Sequence, residues 1–103
     1  MRIRPELAAD RDRTLLVERE AFGGTGEAAI VEVVRDLDGS FALVADDDGT
    51  VVGHVQMSRA WIGDAPVLSL GPIGVLPARQ GEGIGSSLVR RPSMQPVNGG
   101  RAP

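Results

Sequence analysis

Arg79-Gln80-Gly81-Glu82-Gly83-Ile84-Gly85-Ser86 decides how the rest of the chain is read. An apolar, strand-like run precedes it at residues 67–75, Val-Leu-Ser-Leu-Gly-Pro-Ile-Gly-Val. After it, Ser86-Ser87-Leu88-Val89-Arg90-Arg91 can begin a helix. A strand, a glycine-rich turn and a helix start together make an anion site. The first amides of a helix have no intrahelical partner, and the helix dipole is positive at that end. Glycines let the backbone come close to a ligand, because no Cβ stands between.

The spacing discriminates among phosphate loops. A P-loop ends in Gly-Lys-Ser/Thr, and this chain has no lysine. A dinucleotide fingerprint needs a sixth-position glycine or alanine. Counting from Gly81 that position is Ser86, and from Gly83 it is Leu88. No later strand with an acidic end follows to hold a ribose. Gln-x-x-Gly-x-Gly does fit, as Gln80-Gly81-Glu82-Gly83-Ile84-Gly85. This resembles the acetyl-CoA pyrophosphate loop of the GCN5-related N-acetyltransferases. The resemblance extends back through residues 70–77, Leu-Gly-Pro-Ile-Gly-Val-Leu-Pro, and in element order to residue 1. The competing reading is an ordinary glycine-rich connection between a strand and a helix.

Composition narrows the classes. One small domain fits 103 residues, and 42% apolar residues support a small core. No cysteine is present, which excludes disulfides and thiolate chemistry, and a single histidine excludes a histidine-rich metal site. No metal is expected. No apolar run approaches the ~20 residues of a membrane span. Met1-Arg2-Ile3-Arg4-Pro5-Glu6 lacks the apolar core of a signal peptide. A cytoplasmic protein without a membrane partner is the expectation. The net charge of −3 argues against nucleic acid. Residues 1–89 carry eight arginines against fourteen carboxylates, whereas residues 90–103 carry three arginines and no acid.

The hydrophobic pattern gives an order of elements. Residues 1–4 form a short strand stopped by Pro5. Asp10 is placed to cap a helix to about Phe22, with Leu15, Leu16 and Phe22 as its apolar stripe and Arg13, Glu18 and Arg19 on wetter positions. Residues 23–26 break it. A second helix, 27–36, carries Ile30, Val33, Val34 and Leu37 at i, i+3, i+4 and i+7, and Asp38-Gly39 ends it. A strand at 41–45, a turn at 46–49 and a returning strand at 50–58 follow. Alternation puts Val51, Gly53, Val55 and Met57 on one face and Val52, His54, Gln56 and Ser58 on the other. Residues 59–66 read as a loop with a Gly63-Asp64 turn, and 67–75 as the next antiparallel strand, bulged at Gly71-Pro72. The fold class is therefore α/β (α+β): a mixed, mostly antiparallel sheet, two N-terminal helices and a short helix after the glycine loop. This resembles the N-terminal part of the acyl-CoA N-acyltransferase fold.

Residues 1–91 read as a partial N-acetyltransferase domain. Residues 92–103, with three prolines, two glycines and no periodicity, read as a disordered tail, and Pro92 is expected to stop the helix after about two turns. In the resembled family further strands and a helix follow, so the chain reads as C-terminally truncated. An uncovered strand would then favour self-association.

The resemblance implies acetyl transfer from acetyl-CoA, as co-substrate, to a small-molecule or peptide amine. By motif position Ile73, Gly74 and Val75 would pair with the pantetheine arm, and the amide of Val75 would polarise the thioester carbonyl. Arg79, Gln80, Gly81, Glu82, Gly83, Ile84, Gly85 and Ser86 would hold the pyrophosphate, with Arg79 as a charged contact and Glu82 turned to solvent. Glu18, Glu20 and His54 are the candidate bases. Against each stands a structural reading: an exposed helix glutamate, or a histidine that is structural or exposed. The family often protonates the leaving thiolate with a tyrosine, and this chain has none. The alternative to an enzyme is an inactive truncated domain or a module that binds CoA or another anion.

Overall fold

Asp48 and Gly49, both at positive φ (57° and 93°), make the tight turn from which the sheet grows. Such turns match the right-handed twist of the strands they join. The computed structural model describes residues 1–37 and 39–94, with side chains as far as Arg90. Its strands are β1 (Arg2–Pro5), β2 (Phe41–Asp47), β3 (Thr50–Ile62) and β4 (Ala65–Val75). They lie in the order β1-β2-β3-β4, and every pairing is antiparallel. The helices are α1 (Arg11–Phe22), α2 (Gly26–Val34) and α3 (Ile84–Met94).

The sheet separates two packed faces. Leu43, Ala45, Val52, Val55 and Met57 pack on Ile84 and Leu88 of α3. Val44 and Val51 pack on Val17 of α1. This corrects the simple alternation, which put Val51 with Val55 and Val52 with His54. Ala45 pairs with Gly53 and Asp46 with Val51, so Val52 is an extra residue in β3. The bulge shifts the phase of the strand and exchanges the faces of the two valines. Gly53 has no room for a side chain: a Cβ would lie 2.9 Å from Ile84 Cγ2.

The second bulge falls where proline suggested it. Val55 pairs with Ile73 and Met57 with Leu70, leaving Gly71 and Pro72 opposite Gln56 alone. The hairpin is longer than the pattern implied. Residues 59–62 and 65–66 are ladder, not loop, and only Gly63 (φ 60°) and Asp64 turn the chain.

Both helix stripes differ from their periodicity. On α1 the buried residues are Thr14, Val17 and Glu18, while Phe22 is exposed. On α2 they are Ala28 and Val31, while Ile30 and Val33 are exposed, as is Leu37 beyond the end of the helix. α2 ends at Val34, whose carbonyl accepts the Ser40 hydroxyl at 2.5 Å, and Asp38 lies outside the described residues. Asp10 precedes α1 but does not bond its amides. It turns back to accept the Leu7 N–H at 2.7 Å and the Arg4 guanidinium at 2.8 Å. Arg4 also donates to Asp46 at 2.8 Å, tying β1, β2 and the start of α1 together. These ion pairs raise the arginine and hold both carboxyls below the usual carboxylate range.

α3 runs through Pro92 to Met94, past the expected stop. A proline removes one intrahelical bond, and here that loss does not end the helix. The disordered tail expected from residue 92 lies, from 95 onward, outside the described residues.

Candidate functional site

β4 is the edge of the sheet, and its end leads directly into the glycine loop. Leu76 donates to the Val52 carbonyl at 3.0 Å. Antiparallel ladders alternate, so Gly74 faces its partner His54 while the backbone groups of Ile73 and Val75 turn to the open edge. Gln80 shows the same orientation. Its Nε2 donates to the Val75 carbonyl at 3.0 Å from outside the sheet, folding the loop back onto the strand.

Residues 77–79 form a short 3-10 turn with Pro77 at its start. Gly81 (φ 87°) and Gly83 (φ 83°) then take the left-handed conformation, with nothing among the described residues within 4 Å of a Cβ at either. These two glycines serve the backbone path. Gly85 has an ordinary φ, and a Cβ there would make only a 3.9 Å contact with Val75. α3 begins at Ile84, and its first bond within this region runs from Ser87 N–H to the Gly83 carbonyl at 3.0 Å. The earlier amides are therefore the unpaired donors of a helix start. Between β4 and α3 lies a groove of about 650 Å³ lined by Ile73, Gly85, Ser86, Val89 and Arg90. Its apolar strand end and cationic helix side suit a ligand that is long, partly apolar and anionic at one end.

Arg79 and Glu82 are joined to each other within the loop. Arg79 donates to Asp47 at 2.6 Å and to Glu82 at 2.9 Å, and both carboxylates raise it. It braces the loop against the end of β2. Glu82 accepts from this arginine while its side chain stays exposed.

The candidate bases separate clearly. Glu20 is exposed on α1. His54 and Glu18 are both fully buried, and His54 Nδ1 lies 2.5 Å from Glu18 Oε2. On the far side of the ring, Nε2 is 3.9 Å from Glu6 Oε2, and Glu6 is in turn 3.8 Å from Arg35. Among the described residues, Glu18 Oε1 and His54 Nε2 have no hydrogen-bond partner. Helical periodicity put Glu18 on a wetter position. Its only sequence signal is the spacing Thr14, Val17, Glu18, which shares one helix face.

Comparison with known proteins agrees with this geometry. Residues 11–91 match the sequence model of the acetyltransferase (GNAT) family. An uncharacterised N-acetyltransferase of Escherichia coli, YjhQ, is 35% identical over 81 residues, which is 72% of this chain and 45% of that protein. A GNAT family acetyltransferase of Brucella melitensis, solved with acetyl-CoA, is 39% identical with a TM-score of 0.78 over 89% of this chain and 65% of its own. An aminoglycoside 6'-N-acetyltransferase of Acinetobacter haemolyticus shares the fold at 21% identity, with a TM-score of 0.68 over 90% of this chain and 69% of its own. The chain thus spans about half the length of its curated relative and 65% of the Brucella protein.

Proposed function

Because the chain belongs to the GNAT acetyltransferase family, we propose that it binds acetyl-CoA and transfers the acetyl group to an amine. One observation carries this reading. The outward-facing backbone of Ile73 and Val75 runs straight into the unpaired amides at the start of α3, beside the groove lined by Ser86 and Arg90.

A strand edge offers an N–H and C=O row that an amide-bearing arm can match, as an added strand would. The pantetheine arm supplies such amides, and the pyrophosphate suits the helix start. The Val75 N–H, turned outward, is the donor placed to polarise a thioester carbonyl. Gln80 to Ser86 bind through backbone, with Arg90 as the nearby cation and Arg79 as a brace. In the reaction the amine nitrogen bonds to the acetyl carbon, the carbon–sulfur bond breaks, and the thiolate takes a proton.

A small molecule or a peptide would both fit as amine acceptor. No described helix is long and apolar enough to cross a membrane. The need for acetyl-CoA is our argument for a cytoplasmic location. Calorimetry with acetyl-CoA, followed by thiol release with a panel of amines, tests the proposal. Saturable binding and amine-dependent thiol release are expected. Binding without release would favour the module reading, and no binding would overturn both.

A further inference from the structure

The Val75 carbonyl is the last outward group of the edge strand before the glycine loop, and it is already taken. Gln80 Nε2 donates to it at 3.0 Å. Along the strand the outward groups run Ile73 N–H, Ile73 C=O, Val75 N–H and Val75 C=O. A ligand arm that leaves the helix start and follows this edge meets the Val75 carbonyl first. The Gln80 carboxamide therefore stands where the first N–H of such an arm belongs.

The contact is placed to exchange. Gln80 is exposed and Val75 is half-buried, so a ligand can reach the bond from solvent. The chain beside it is fixed independently. Leu76 N–H is held by the Val52 carbonyl at 3.0 Å, and Arg79 N–H by the Leu76 carbonyl at 2.8 Å. The Arg79 guanidinium holds Asp47 and Glu82. The Gln80 side chain can therefore leave without unwinding the turn at 77–79. A carbonyl only accepts, so whatever replaces Gln80 there must be a donor. The exchange swaps one N–H···O bond for another, whereas a carbonyl left unpaired beneath a ligand costs more.

We propose that Gln80 is a specificity-determining latch: its carboxamide keeps the Val75 carbonyl paired in the free chain and yields it only to a ligand arm that brings an amide N–H. This rests on the acetyltransferase reading above and adds to it a demand on the arm. An arm with an ester or a methylated amide at that place would leave either Gln80 in its way or the carbonyl unpaired. The Val75 N–H takes no part in the exchange and stays free for a carbonyl. The exchange breaks no covalent bond and moves no proton.

The test uses the full chain and pantetheine, which carries the amides without the pyrophosphate, titrated by ¹⁵N chemical shifts. Gln80→Leu and Gln80→Glu remove the donor, and Gln80→Asn shortens its reach. Each should bind pantetheine about two- to tenfold more tightly than the parent, since no bond has to be given up. A side chain that merely braced the strand would give weaker binding in all three. Of two pantetheine analogues, each methylated on one amide nitrogen, one should bind the parent about tenfold more weakly than pantetheine does. If the variants fail to fold, or pantetheine binds too weakly to titrate, the Gln80 side-chain ¹⁵N signals of the parent decide at saturating acetyl-CoA. They should move toward those of a solvated glutamine. Unmoved signals, equal or weaker pantetheine binding by the folded variants, or equal binding of pantetheine and both analogues would overturn the proposal. A parent chain that binds neither pantetheine nor acetyl-CoA would overturn the acetyltransferase reading, and the latch with it.

Discussion

Glu18 and Gly74 share one space: the carboxylate from α1 stands where a side chain at 74 would begin, 2.9 Å from its carboxyl carbon to the position of a Cβ. The fit of α1 against the edge strand depends on this pairing of a buried acid with a missing side chain.

Gly74→Ala must therefore displace the acid or the strand. We expect a destabilisation of about 1–3 kcal/mol in urea unfolding. The Gly74→Ala/Glu18→Ala double variant should be less destabilised than the sum of its parts, with a coupling of at least about 0.5 kcal/mol. Strict additivity would show that the two residues do not contest the same space.

The glycine loop makes a graded prediction. Gly81→Ala and Gly83→Ala force a Cβ into positive φ, which costs about 1–2 kcal/mol each. Gly83→Val should in addition abolish CoA binding in calorimetry, since a β-branched residue disfavours that conformation strongly. Gly85→Ala should fold as the parent, because its φ is ordinary and its nearest contact is 3.9 Å away. Any loss of CoA affinity in Gly85→Ala would then report contact with the ligand itself.

Arg79 is committed to Asp47 and Glu82. Both pairs are partly exposed, so Arg79→Ala should unfold in urea close to the parent. CoA affinity should fall by less than about threefold at moderate salt, since the arginine's charge is already matched by two carboxylates. A loss of tenfold or more, relieved by added salt, would place Arg79 on the phosphate after all.

The Arg4 clamp gives the chain an acid limit. Asp10 and Asp46 are depressed in the folded chain, first by Arg4 and then by the Leu7 and Gly49 amides respectively. Their contribution to stability is thus full above the unfolded carboxyl value of about 3.9, and is lost as pH falls through the lower folded values. Arg4→Met should lower the melting temperature at pH 7, and the gap from the parent should close below about pH 4. A gap constant down to pH 2 would show that the pairs add nothing.

The sequence displayed its backbone features more openly than its buried chemistry. The glycine loop, the strand order and the Gly71-Pro72 bulge were legible because glycine and proline act through local φ and missing donors. The Val52 bulge was not, since two adjacent valines look alike on either face of a strand. Glu18 was hidden for a different reason. In a helix rich in Arg and Glu, an acid that faces a histidine 36 residues away looks like any solvated acid. Ile30 and Val33 misled in the opposite sense, lying on the exposed side of α2, with Leu37 exposed beyond its end.

The long β3–β4 hairpin carries Trp61 near its end, 67% exposed, and the chain has no other tryptophan and no tyrosine. Intrinsic emission from this protein is therefore a local gauge. It should start red, respond little to loss of the valine-rich core, and turn blue when Trp61, Ile62 and Leu70 are covered by another surface, such as a second copy. Melting curves read by fluorescence will follow the hairpin, and circular dichroism is the probe that follows the fold.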